Sequence, residues 1–279
     1  MTLAHPRRLV YLGTPAMAVP PLEALVAAGH DVALVVTSPD RKRGRGGALS
    51  PTPVKAAAQA LGLPVSHDID DVTSVGADLG VVVAFGRLIR PHVLAAVPMV
   101  NLHFSLLPRW RGAAPVERAL LAGDTETGVC LMQLDEGLDT GPVYSTVRVP
   151  IGERATADEL RSELVRLGTQ QLVDALAMPL GEPVPQSGTA VYAEKIRAEE
   201  LRIDWSQPVA AIDRLVRLGG AWTTFRGRRV KLIAAVPDAA ADGLAPGLRL
   251  VTVQPEGKAP MAATDWVRGV RPASDERFE

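Results

Sequence analysis

The chain has 279 residues, carries 30 basic and 31 acidic side chains for a net charge of -1, and is 47% hydrophobic. That composition supplies a sizeable core and excludes global disorder, and the length allows one large domain or two ordinary ones. Charge, Pro or Gly interrupts every apolar run short of the roughly 20 residues that a bilayer requires, so no membrane span is expected. The single cysteine, Cys130, can close no intrachain disulfide, and the five histidines lack HExxH spacing, so no metal site is expected. The opening MTLAHPRRLVYLG has no long apolar h-region, which points to the cytoplasm. Charge is uneven: residues 1–112 and 201–279 are net basic and 113–200 net acidic. A polyanion could touch both ends, although solvated surface alone also produces such imbalances.

In chain order, Leu9 to Leu12 reads as a buried strand, broken by Gly13-Thr14-Pro15 before a helical stretch that ends near Gly29. Asp31 to Ser38 is a second β-branched strand. The loop from Asp40 to Gly47 holds Arg41, Lys42, Arg43 and Arg45 among three glycines, and Val54 to Leu61 reads as a helix stopped by Gly62 and Pro64. Val81 to Ala84 is a continuous apolar strand of the kind found where helices cover both faces of a parallel sheet. This alternation predicts a doubly wound, Rossmann-like α/β sheet. Thr156-x-x-Glu159 is a capping box that opens a helix reaching about Ala177. Gly181 to Gly188 turns Pro-, Gly- and polar-rich and reads as a linker. Beyond it, Val209 to Leu218 suits a short helix, and Trp222 to Phe225, Val230 to Val236 and Leu248 to Val253 suit short strands. The expected division is a catalytic domain over 1–185, a linker over 186–203 and a small β-rich domain over 204–279.

The most informative stretch is Asn101 to Pro108. In a strand, Asn101, His103 and Ser105 share one face and Leu102 and Phe104 the other, with Pro108 ending the strand. Open α/β sheets bind ligands at the carboxyl ends of their strands, so this polar face is a candidate active-site edge. A histidine in a strand is either a framework hydrogen-bonder or a catalyst, and the pattern leaves both open. The Leu134 to Gly141 loop could bring Asp139 to His103, or be a plain surface turn. A hydrolase triad through Ser105 is disfavoured, because no GxSxG elbow surrounds it and strand neighbours two apart project side by side.

NLHFSLLPRWRGAAP (Asn101 to Pro115), followed by LDTG (Leu138 to Gly141), resembles the signature of the formyltransferases that use 10-formyltetrahydrofolate. Gly13-Thr14-Pro15, Pro39-Asp40-Arg41, Pro51-Thr52-Pro53, Tyr192-Ala193-Glu194-Lys195, Asp204-Trp205 and Gln254-Pro255-x-Gly257-Lys258 extend the likeness to the branch acting on methionyl initiator tRNA. The resemblance implies a formyltransferase fold with an OB-like β-barrel as its carboxyl-terminal domain. An amine attacking a formyl carbon generates an oxyanion that needs placed donors. By the resemblance Asn101 and His103 supply them, while Asp139 orients the histidine and assists proton removal. Ser105, Leu106, Leu107 and Pro108 would line the tetrahydrofolate site, bordered by Phe85, Gly86 and Leu88. Arg41, Lys42, Arg43 and Arg45 would meet the acceptor stem, although such a loop can also be plain mobile surface. A monomer is expected.

Only residues 248–253 separate Gly247 from Gln254, where the family carries further strands, so a reduced barrel with exposed edges is expected. Rival readings are a sugar-amine N-formyltransferase, which needs no basic loop, and a non-catalytic RNA-binding relative, which needs no Asn101, His103 and Asp139. A nicotinamide oxidoreductase lacks its GxGxxG fingerprint here.

Overall fold

The computed structural model describes residues 8–43 and 47–279. The chain forms two compact units. The larger takes the chain up to Pro115, Glu126–Pro150 and Arg161–Ala193, and the smaller takes Val116–Thr125, Ile151–Leu160 and Glu194–Glu279.

The strands up to residue 193 are β1 (Arg8–Gly13), β2 (Asp31–Val36), β3 (Arg41–Arg43), β4 (Ala48–Ser50), β5 (Val65–Ser66), β6 (Leu79–Val83), β7 (Met99–His103), β8 (Arg109–Gly112), β9 (Glu126–Gln133), β10 (Val143–Pro150) and β11 (Val191–Ala193). Seven of them form one sheet in the order β10-β9-β7-β6-β1-β2-β5. The β7-β6-β1-β2-β5 run is parallel, and β9 and β10 add antiparallel strands beyond β7. Both faces of the central strands are covered, so all five residues of β6 and of β7 are buried. The doubly wound α/β expectation therefore holds. β7 ends at His103, earlier than the Pro108 boundary read from the sequence. Residues 104–108 instead form a turn, in which the Ser105 hydroxyl donates to the Arg109 carbonyl at 2.7 Å.

The helices are α1 (Val19–Ala27), α2 (Pro53–Ala60), α3 (Pro91–Ala96), α4 (Pro115–Ala122), α5 (Ala157–Leu176), α6 (Val209–Leu218) and α7 (Ala263–Val270). Thr52 caps α2 by accepting from the Lys55 amide, and its hydroxyl also meets Thr37 at 2.8 Å. The capping box opens α5: Thr156 N–H donates to Glu159 Oε2 at 2.9 Å and Glu159 N–H returns to Thr156 Oγ1 at 3.3 Å. No described helix is long and apolar enough to cross a membrane.

The smaller unit carries β12 (Trp222–Phe225), β13 (Arg228–Pro237), β14 (Leu248–Pro255) and β15 (Met261–Ala262), antiparallel in that order. Its core gathers Ile212, Val216, Phe225, Leu232, Val253 and Trp266, with Phe278 stacked between Trp205 and Trp266 at 5.5 and 5.8 Å. Buried Asp213 is neutralised by Arg154 at 2.6 Å and Arg217 at 2.8 Å, as a buried carboxylate requires. Among the described residues no pairing joins β12 to β15, so the sheet is open. Its β12 edge is nonetheless covered. Ile203 N–H donates to the Trp222 carbonyl at 2.8 Å, and Glu279 and Thr224 exchange main-chain hydrogen bonds at 3.0 and 3.3 Å.

Candidate active site

β1, β6 and β7 run parallel and adjacent, so the loops leaving their carboxyl ends share one edge of the sheet. Asn101 and His103, at alternate positions of β7, are 8% and 5% exposed. No described residue hydrogen-bonds the Asn101 carboxamide, although β7 is paired on both sides by its backbone. The carboxamide is not among the fully enclosed unpartnered atoms, so its polar end is open to solvent or a ligand. Its donor therefore fits an incoming oxygen.

His103 is fixed from two directions. Nε2 lies 2.9 Å from the Trp110 carbonyl oxygen, and Nδ1 lies 3.5 Å from Asp139 Oδ2. A carbonyl only accepts, so Nε2 carries a proton and Nδ1 is the nitrogen that faces Asp139. The Asp139 carboxylate is placed by the backbone: Gly112 N–H donates to Oδ2 at 2.7 Å, and Asp139 holds the left-handed conformation at φ 51°. Gly112 itself sits at φ 118°, where a Cβ would lie 3.0 Å from the Ala193 carbonyl oxygen. Any side chain there would force β8 away from β11. His103 and Asp139 thus lie together, the one of the two readings of this loop that the resemblance implied.

Other residues singled out from the sequence are placed as follows. Ser105 is fully buried with its hydroxyl spent on Arg109, so it is not a nucleophile facing His103. Leu106, Leu107 and Pro108 are half-buried in the turn after β7, and the Leu107–Pro108 peptide is cis. Phe85 is buried after β6, Gly86 takes φ 72° and Leu88 is 78% exposed. Arg41 and Lys42 are exposed on β3, which pairs with β4 from Arg41↔Ser50 to Arg43↔Ala48. Lys55 ion-pairs with Asp40 at 2.8 Å at the foot of this hairpin. Arg45 lies outside the described residues. No group of three or more His, Cys, Asp or Glu side chains could hold a metal among the described residues.

Sequence reasoning missed the Trp110 carbonyl and the Gly112 amide, because main-chain groups leave no residue signature. It also missed Gln186, in the stretch that reads as a linker. That stretch is tied down: Val184 exchanges backbone hydrogen bonds with Val143 at 2.8 Å, and β11 pairs parallel with β8.

A parallel-stranded sheet with a polar trio at its carboxyl edge, joined to a small antiparallel unit, is the architecture of the formyltransferases. The formyl transferase family model matches residues 7–176, and the formyl transferase C-terminal domain model matches residues 195–250. A methionyl-tRNA formyltransferase of Dinoroseobacter shibae is 48% identical over 245 residues, 82% of each chain. One of Thermobifida fusca is 42% identical over 309 aligned residues, 97% of this chain and 99% of that one. Among solved structures, methionyl-tRNA formyltransferase from Clostridium thermocellum superposes with a TM-score of 0.63 at 13% identity, over 89% of this chain and 97% of that one, and shares the fold. The chain belongs to the methionyl-tRNA formyltransferase family.

Proposed function

We propose that this chain transfers the formyl group of 10-formyltetrahydrofolate to the α-amino group of methionyl initiator tRNA. Kinship with the methionyl-tRNA formyltransferases, over 82% of one relative and 99% of another, supports the substrates. The observation that carries the chemistry is the buried Asn101 carboxamide beside the His103–Asp139 pair. When bound, 10-formyltetrahydrofolate supplies a formyl carbon on a nitrogen that can leave as an amine. The residues present fit it, because the unpartnered Asn101 N–H donor meets the need of a carbonyl oxygen that becomes more negative as an amine adds.

Asn101 donates to that oxygen. His103, held by Trp110 through Nε2, turns Nδ1 to the site and, when protonated there, donates a second hydrogen bond. Asp139 Oδ2 stands 3.5 Å from Nδ1, beyond ordinary hydrogen-bond length. It steadies the proton without fixing it, and it accepts the proton that the α-amino group gives up and passes it on to the nitrogen that leaves the formyl carbon, so that the group departs as a neutral amine. Both donors act mainly where charge develops, so they serve turnover more than binding. Ser105 to Pro108 form the wall of the folate site, with Phe85, Gly86 and Leu88 bordering the pterin. Ser105 acts there through its turn, since its side chain is buried. Arg41, Lys42, Arg43 and Arg45 neutralise acceptor-stem phosphates. The larger unit, which runs to Ala193 and includes Gln186 and β11, serves as the catalytic domain, and the smaller unit, which takes up the chain from Glu194, serves as the tRNA-side domain of a cytoplasmic monomer.

Competition decides between acceptors: the purified chain is given 10-formyltetrahydrofolate with equimolar methionyl initiator tRNA and an amino-sugar nucleotide. Formylation of the tRNA is expected, and formylation of the sugar alone would replace this reading with the sugar-amine one.

A further inference from the structure

The loop that presents Asp139 is held by a side chain far along the chain. Gln186 Nε2 donates to the Asp139 carbonyl and to the Gly141 carbonyl, each at 2.8 Å. Its Oε1 accepts from Arg111 Nε at 3.1 Å and Nη2 at 2.7 Å. Arginine can only donate and a carbonyl can only accept, so the orientation of this amide is fixed by its partners and cannot flip. All four hydrogen-bonding positions of the carboxamide are thereby filled.

These contacts close a ring. Gly112 N–H grips the Asp139 carboxylate, while the neighbouring Arg111 side chain grips Gln186, which grips the main chain on both sides of Thr140. Asp139 sits at φ 51°, in the left-handed region that Asp tolerates better than most side chains but that the hydrogen bonds to its carboxylate and carbonyl hold in place. Gly141 is packed so closely that a Cβ would fall 2.0 Å from the Gln133 carbonyl oxygen, so the loop has one way to lie against β9. The segment that carries Gln186 is anchored at both ends, by the Val184–Val143 pairing before it and by β11 on β8 after it. Fixed at both ends, it can transmit position to the loop.

We infer that Gln186, oriented by Arg111, is a positioning residue that sets Asp139 against His103. This rests on the catalytic reading of Asp139 given above. Its hydrogen-bonding positions are all spent within the protein, so its effect is expected in turnover alone.

The test uses the full chain with Gln186→Met, which removes every hydrogen bond at similar length, and Gln186→Glu, which keeps an acceptor for Arg111 but turns oxygen toward two carbonyls. Each is made in the wild-type and Asp139→Asn backgrounds, and thermal melting, kcat and both KM values are measured, with slow variants read in single turnovers. Both variants should lower kcat by about 10-fold or more with KM within about 2-fold, while remaining folded. Neither should lower it further in the Asp139→Asn background, because they act through the same group. Anchoring of the segment through Arg111 alone would leave Gln186→Glu near wild type, which overturns the proposal. So would normal kcat in both variants, an equal fold-loss in both backgrounds, or a loss that tracks the melted fraction. An inactive Asp139→Asn beside fully active Gln186 variants overturns this proposal only. A fully active Asp139→Asn overturns the catalytic reading of Asp139 and this proposal with it.

Discussion

Replacing Asp139 by Asn removes one charge from the site and little else. Asparagine tolerates the left-handed backbone at φ 51°, whereas alanine would add roughly 1–2 kcal/mol of backbone strain and confuse the result. Its side-chain oxygen can still accept from Gly112 N–H. What disappears is the attraction between a carboxylate and the ring when Nδ1 is protonated. At the observed 3.5 Å, and with an effective dielectric constant near 20, that attraction is about 5 kcal/mol. If all of it were expressed in the transition state, the rate would fall by roughly three and a half powers of ten. Solvent entry and the surviving amide dipole reduce this, so a loss of kcat on the order of 10²- to 10³-fold is expected. The assay is single-turnover formylation with both substrates saturating, beside a melting curve of the same sample. A folded variant that keeps kcat within about 3-fold would refute the electrostatic role. So would a collapse in thermal stability with normal activity per folded molecule, which would make Asp139 a framework residue.

Three further outcomes are expected. Asn101→Ala should cut kcat by on the order of 10²-fold with little change in folate KM, because its donor acts on an oxygen that becomes charged only as the amine adds; a raised KM with unchanged kcat would reassign it to binding. Neutralising Arg41, Lys42, Arg43 and Arg45 together should raise the tRNA KM and flatten its salt dependence, by somewhat under one unit of slope for each phosphate no longer neutralised, with folate saturation unmoved; an unchanged slope would remove the hairpin from the tRNA site. In the smaller unit, the Arg226 fork and the Ala273 amide hold the Glu276 carboxyl down from the usual 4.5 to about 2. A depressed carboxylate stabilises the fold above its unfolded value and loses that contribution as pH falls through the folded one. The melting-temperature gap between wild type and Glu276→Gln should therefore be constant above about pH 4.5 and close between 4.5 and 2, and a gap independent of pH would show that the pair contributes nothing through its charge.

The strands and helices were legible because burial on both faces writes itself as unbroken apolar runs, as in Val81 to Val83, and because caps such as Thr156 and Glu159 are side-chain signals. The end of β7 was not. Alternation of polar and apolar residues continues through Phe104 and Ser105, but Ser105 turns its hydroxyl to the chain and leaves the sheet. Asn101, His103 and Asp139 could be named because side chains define them, whereas the Trp110 carbonyl and the Gly112 amide that position two of them carry no sequence mark. The segment around Gln186 reads as a linker from its Pro and Gly content, yet it pairs with β10 and supplies β11 to β8. A cut after Gly188 would remove β11 from the larger unit. Residues 116–125 and 151–160 join the smaller unit without any compositional shift to announce them. An open sheet agrees with the short interval before Gln254, but the covering of its β12 edge by Glu279 depends on a long-range return of the chain that no local pattern encodes.

Formyl transfer at this sheet edge can be watched directly, by loading the wild-type chain and His103→Ala with formyl-labelled 10-formyltetrahydrofolate and methionyl initiator tRNA and following label on the tRNA in a single turnover. The wild-type chain should move the label to the α-amino group, and His103→Ala, still folded and still binding folate, should be slower by on the order of 10²-fold or more. Absence of label on the tRNA with wild type, or equal rates for the two proteins, would contradict a formyltransferase site built on His103.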